Sequence, residues 1–251
     1  MPPGAATAMT DPSPPPRPDP PTLEHRADDG GTWPFLVWRF GAPRRAISSA
    51  PVGGGIGSCE WIVNAQVRSG YARHDLDVHL AELAALAGLA PGRGIGMLTA
   101  ADVTGAVAAH DDGAAVLATV GVRVPTWAAA PDGAADPTIS ADAARARAAT
   151  AGTINIVVEL PVAVSDAALV NLVATATEAK AQALLEAGIP GTGTATDAVC
   201  VVCPPSGTGP VEPFGGPRST WGARVARATH ASVLAGIGGS LRVIGDGPTG
   251  R

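Results

Sequence analysis

Lys180 is the only lysine in a chain that carries 16 arginines, and it closes the run Thr177-Glu-Ala-Lys180. An ammonium is a compact point charge that can be desolvated into a neutral base, and a guanidinium does neither, so a lone lysine marks a candidate site. The competing explanation is a lysine retained by chance. Asparagine is equally scarce, occurring only as Asn64, Asn155 and Asn171. Asn64 alternates with Gln66 along a strand-like stretch, which sets two amides side by side on one face. Asp197 follows a loop of small residues, Gly191 to Thr196, that permits close backbone approach to a ligand. Ser48 and Ser49 precede a glycine turn at Gly53, Gly54, Gly55 and Gly57.

Other groups carry less chemistry. Cys200 and Cys203 form a C-x-x-C pair, but the third thiol, Cys59, stands alone and no second pair exists, so all three are expected to pack as small hydrophobes. His74 and His79 flank Asp75 and Asp77, yet a helical spacing of five turns the two rings away from one another and does not favour a metal. No glycine run ends in lysine, and no Gly-x-Ser-x-Gly elbow occurs, which removes the P-loop and the common serine hydrolase.

These residues need elements to hold them. Strands are expected over 33–40, 44–50, 61–67, 114–122, 152–160 and 198–202, with 94–101 as a strand or turn. A first helix is expected over 75–87, stopped by Gly88 and Pro91. The longest helix is expected from Ser165, as its N-cap, to Ala187, and a last one over 219–235. On the long helix Leu169, Val173, Ala176, Lys180 and Leu184 share one stripe, so Lys180 sits in the apolar face. Asn171, Thr175, Glu178, Gln182 and Glu186 fall on the opposite arc, so Glu178 and Lys180 do not pair across the helix surface. Residues 123–151 read as a long loop with a short helical piece at 142–149. Successive strands followed by strands alternating with helices predict an α/β (α+β) fold: a single domain with a mixed β-sheet covered by helices. The alternative is an αββα sandwich of two sheets between helix layers.

Composition bounds the rest. With 46% hydrophobic and 16% charged residues the chain has the makings of a globular core. A net charge of -5 gives no basic field, so nucleic acid is not an expected partner. No apolar stretch is long enough to span a bilayer, and the proline-rich start does not resemble a secretory signal, so a cytoplasmic protein is expected. Residues 1–31 are expected to form a disordered leader, 32–237 the domain, and 238–251 a flexible tail. The sequence leaves a homo-oligomer open.

Seven runs, in order, carry a resemblance. They are Ile47-Ser-Ser-Ala-Pro-Val-Gly-Gly-Gly, Asn64-Ala-Gln-Val, Gly96-Met-Leu-Thr-Ala-Ala-Asp, Gly152-Thr-Ile-Asn-Ile, Ser165-Asp-Ala-Ala-Leu-Val-Asn, Ala176-Thr-Glu-Ala-Lys and Gly193-Thr-Ala-Thr-Asp-Ala. Together they resemble the adenosylcobinamide amidohydrolase family of corrinoid salvage. The resemblance implies hydrolysis of the amide joining the aminopropanol arm to the corrin ring, giving adenosylcobyric acid and 1-amino-2-propanol. No separate metal or cofactor is implied, because cobalt arrives with the substrate.

Under that resemblance Lys180 is expected to act as general acid or as the charge facing the oxyanion, with Glu178 or Asp197 activating water. Asn64 and Asn155 would be amide donors, with Gln66 beside them. A covalent route through Ser48, Ser49, Thr99 or Thr153 competes. The turn holding Gly54 and Gly55 and the loop holding Gly193 and Thr194 would cradle the corrin side amides or the ribose. Two other functions compete: a corrinoid-binding protein without catalysis, and an amidohydrolase for a different amide.

Overall fold

One mixed sheet carries every long strand, and it is curled so that its two halves face each other. The structure is a computed structural model that describes residues 20–28, 31–90, 92–137, 152–207 and 209–238. In chain order the strands are β1 (Thr22–Asp28), β2 (Gly31–Ser48), β3 (Gly55–Gln66), β4 (Gly94–Thr99), β5 (Val107–Asp111), β6 (Ala114–Gly121), β7 (Thr153–Glu159), β8 (Ala163–Val164), β9 (Ala198–Cys203) and β10 (Val211–Glu212). The helices are α1 (Leu76–Leu86), α2 (Asp166–Glu186) and α3 (Thr220–Ile237). The sheet runs β4-β3-β2-β9-β7-β6-β5, with β1 paired to the first half of β2, while β8 and β10 form a separate short ladder. Its β3–β4 and β7–β9 pairings are parallel, and its other pairings are antiparallel.

Period-two alternation assigns each side chain to a layer. Phe35, Val37, Trp61, Val63 and Ala65 face Leu80, Leu83 and Ala84 of α1. Their alternates Leu36, Trp38 and Ile62 point inward, where they meet Ile95, Met97, Val157, Cys200 and Val202. Ile154, Ile156, Val158, Val199 and Val201 pack outward against Leu169, Leu172, Leu184 and Val225 of α2 and α3. The expected mixed sheet covered by helices is present, and its curl also produces the helix–sheet–sheet–helix layering of the alternative.

The structure departs from expectation in several places. Thr22–Asp28, assigned by composition to the leader, is a strand, held by its ladder to β2 and by buried Arg26, which donates to Gln66 O at 2.8 Å. The two strands expected over 33–50 are one, because a bulge between Arg39 and Arg44 absorbs the extra residues without breaking the pairing to β3. Residues 107–111 join 114–121 in a hairpin whose turn is Asp112-Gly113, both at positive φ (40° and 91°). Thr175, placed on the polar arc, is buried and donates to Gly215 O at 2.9 Å. The helical piece at 142–149 lies outside the described residues, as do residues 1–19 and 239–251. No helix among the described residues is long and apolar enough to cross a membrane.

Cys59, Cys200 and Cys203 are free and buried, in agreement with the packing role. Cys200 faces the interior and Cys203 the helices, so the C-x-x-C pair cannot bridge. Burial pushes the Cys59 thiol up to about 12 and raises Cys200 and Cys203 as well.

Candidate active site

The curl leaves a cleft of about 510 Å³ where β3 and β4 end and β7 and β9 begin. Its walls come from the segment after β2 (Ser49, Pro51), the ends of β3 and β4 (Arg68, Thr99), the start of β7 (Thr153, Asn155) and the approach to β9 (Thr196, Asp197). Tyr71, from the loop before α1, completes the rim. Asp197 is the one carboxylate in this lining.

Asp197 is held on every side. Its Oδ1 accepts from Ile154 N at 2.8 Å and Thr194 Oγ1 at 2.6 Å, and its Oδ2 accepts from Lys180 Nζ at 2.5 Å and Thr194 N at 3.0 Å. Four donors match the four lone-pair sites of a carboxylate. Lys180 stands behind Asp197, 6% exposed, and does not line the cleft. It therefore reaches the cleft only through the carboxylate that it fixes, which corrects its expected direct role as acid or oxyanion charge.

The neighbouring glycine serves this ion pair. A Cβ on Gly193 would stand 2.5 Å from Asp197 Oδ2 and 2.6 Å from Lys180 Nζ, so only glycine admits the contact. Gly193 O also accepts from Thr126 N at 2.9 Å, and Thr192 N donates to Thr126 O at 2.9 Å. The loop thus packs on the chain around the ion pair and presents no open cradle for a ligand, contrary to expectation for Gly193 and Thr194.

Glu178 is separated from the pair. It lies exposed on the opposite arc of α2 and lines an outer groove between α2 and α3 with Gln182, Arg227 and His230. Of the two carboxylates offered for activating water, Asp197 lines the cleft and Glu178 does not. Gly54, in the turn before β3, and Gly55, the first residue of β3, lie outside the cleft lining. Gln66 spends its Oε1 on Val103 N at 3.1 Å.

The asparagines form the floor. Asn155 Nδ2 donates to Asn64 Oδ1 at 2.8 Å and to Leu98 O at 3.0 Å, and Asn64 Nδ2 donates to Thr119 Oγ1 at 3.1 Å. This chain ties β7, β4, β3 and β6 together across the interior, which is how the curl is held. Asn155 Nδ2 spends both of its hydrogens within the protein, and Asn64, which donates to Thr119, is not among the residues that line the cleft, so neither stands as the expected donor to a ligand.

The hydroxyls differ in what they touch. Ser48 Oγ accepts from Ala50 N, Ser49 Oγ from Val199 N and Thr99 Oγ1 from Ala101 N, each at 3.0 Å. Thr153 Oγ1 donates to Gly152 O at 2.8 Å and lies 2.7 Å from Thr196 Oγ1. None of these oxygens hydrogen-bonds to a histidine or carboxylate, so an activated nucleophile of that kind is not formed. The described residues instead hold one protic pair that the sequence left unused. Tyr71 OH lies 2.6 Å from His79 Nδ1, with the rings stacked 5.5 Å apart; Tyr71 faces the cleft and His79 is buried behind it. The available signal was that Tyr71 is the only tyrosine in the chain, eight residues ahead of a histidine.

Fold and cleft together define an α+β protein with a cleft at the open end of a curled mixed sheet. The chain belongs to the adenosylcobinamide amidohydrolase family, whose model matches residues 20–242 and so takes in every segment of the cleft. It is 43% identical over 129 residues to an adenosylcobinamide amidohydrolase of Halobacterium salinarum, covering 51% of this chain and 49% of the relative. A second adenosylcobinamide amidohydrolase, from Methanosarcina mazei, is 40% identical over 96 residues, covering 36% of this chain and 48% of that relative. The chain spans about half the length of the curated relatives it matches.

Proposed function

We propose that the protein hydrolyses the amide joining the aminopropanol arm of adenosylcobinamide to its corrin ring, releasing adenosylcobyric acid and 1-amino-2-propanol. The observation that carries this reading is the coincidence of the family match with all the segments that build the cleft. A cleft of about 510 Å³ suits the arm and the adjoining edge of the corrin, with the rest of the macrocycle outside. Cobalt enters as part of the substrate, and the reading includes no resident cofactor. It also places the protein in the cytoplasm, with a small corrinoid and no nucleic acid as its partner.

Hydrolysis adds water across the C–N bond: the water oxygen bonds to the carbonyl carbon, the bond to nitrogen breaks, and the nitrogen takes a proton. The Tyr71–His79 pair supplies a route for that proton. His79 receives it through the Tyr71 hydroxyl as water attacks, and the same route returns it to the departing amine. Asp197, with Lys180 behind it, acts as a fixed charge and anchor for the wall that carries Thr153 and Thr196.

The test is mass detection of 1-amino-2-propanol after mixing purified protein with adenosylcobinamide. Release by the wild type, with loss in Tyr71→Phe, is expected. A wild type that binds the corrinoid and releases no amine would replace the hydrolase by a corrinoid-binding protein.

A further inference from the structure

Asn155 carries a buried acceptor that the fold leaves without a partner. Asn155 is 1% exposed and lines the cleft, yet its Oδ1 meets no donor. The orientation of the amide is set, because the Leu98 carbonyl can only accept and so fixes Nδ2 on its side. Asn64, anchored on Thr119, takes the second hydrogen of the same nitrogen. What Asn155 leaves open is therefore an oxygen with no proton to give. Buried acceptors are ordinarily satisfied, and one left open at the floor of a cleft is completed by a donor that arrives with the ligand.

We infer that Asn155 Oδ1 accepts the N–H of the substrate's scissile amide, an inference that rests on the hydrolase function proposed above. It reverses the polarity expected from sequence, where this asparagine was a donor to the carbonyl. Of the substrate atoms at the reacting centre only the nitrogen bears a hydrogen, so an acceptor that meets it selects the amide against an ester of the same shape. The contact strengthens as the reaction proceeds. When the nitrogen of the tetrahedral intermediate takes up its proton, just before the C–N bond breaks and the neutral amine leaves, its N–H carries positive charge and is a stronger donor to the same oxygen. Asn155 thus contributes to the rate as well as to binding, while transferring no proton itself.

The experiment compares adenosylcobinamide with an ester analogue in which oxygen replaces the scissile N–H. Single-turnover cleavage and dissociation constants are measured for the wild type and for Asn155→Ala, with spontaneous ester hydrolysis subtracted. The variant is expected to lose about ten- to hundredfold more on the amide than on the ester, and the ester cleavage that remains shows that it is folded. Thr119→Val, which cuts the far end of the amide chain, is expected to keep the preference for the amide. Equal loss on both compounds, or loss on neither, overturns the inference. If Asn155→Ala does not fold, Asn155→Ser takes its place and is judged by the same ratio. A wild type that binds both compounds and cleaves neither refutes the hydrolase alone. The amide-to-ester ratio of dissociation constants then decides, supporting the inference if the variant abolishes it and overturning it if the ratio is unchanged. Binding of neither compound overturns both.

Discussion

Lys180 and Asp197 form a buried ion pair in the wall of the cleft. Removing one partner of a buried pair leaves the other charge uncompensated, which typically costs about 3–5 kcal/mol. Lys180→Met is therefore expected to lower the free energy of unfolding by that order, measured by urea denaturation. Adding Asp197→Asn should recover part of the loss, since the neutral amide no longer requires the ammonium. No recovery would mean that Lys180 acts through packing alone. Tyr71→Phe behaves differently, because the phenyl ring retains the stacking on His79 and loses only the hydroxyl. Its stability should stay near wild type while kcat for amine release falls about a hundred- to ten-thousandfold, with little change in KM. A fall in stability instead would assign the hydroxyl a structural role. Rarity and spacing singled out Lys180, Asp197 and Asn155 in the sequence, and the structure places Asp197 and Asn155 in the lining of one cleft with Lys180 paired to Asp197. They did not reveal that Lys180 lies behind the carboxylate or that Asn155 offers an acceptor, because both facts depend on partners brought from distant strands.

Elements hold these residues through close contacts and caps. Gly193→Ala forces a methyl group against both members of the ion pair and should cost on the order of 1–3 kcal/mol, as overpacking does. Ser165 Oγ accepts from Ala168 N at 3.1 Å and caps α2, the helix that carries Lys180, so Ser165→Ala should cost about 1 kcal/mol by denaturant titration. A larger loss of amine release than of stability in Gly193→Ala would place the ion pair in control of the cleft wall. The helices were legible from caps and apolar stripes, which are local in sequence. The β5–β6 hairpin was legible too, since Asp112-Gly113 between apolar runs is a strong turn signal, but it was passed over. β1 was hidden for a physical reason: Thr22–Asp28 has no alternating apolar face and becomes a strand only by pairing with β2. The curl was hidden likewise, being fixed by the Asn155–Asn64–Thr119 chain, whose members lie 36 to 91 residues apart.

At the scale of the whole molecule the three buried thiols make stability report on alkaline pH. Each has its folded pKa raised by burial, so above the usual value of 9.0 the unfolded chain ionises its thiols while the folded chain keeps them protonated. Their contribution is therefore fully present below pH 9 and is lost as pH rises, through about 12 for Cys59. Each thiol contributes a slope of up to about 1.4 kcal/mol per pH unit within its window. One lysine and one tyrosine in the chain leave few other side chains to titrate there, so the thiols should dominate the slope. Urea unfolding between pH 7 and 10.5 is expected to show a plateau to about pH 8.5 and a fall beyond it. Cys59→Ala should flatten that fall while lowering the plateau, since the methyl group leaves part of the interior unfilled. A slope unchanged by Cys59→Ala would show that this thiol is already accessible to water in the folded protein. In that case a thiol reagent should label it before global unfolding, whereas a buried Cys59 is labelled only at the unfolding rate.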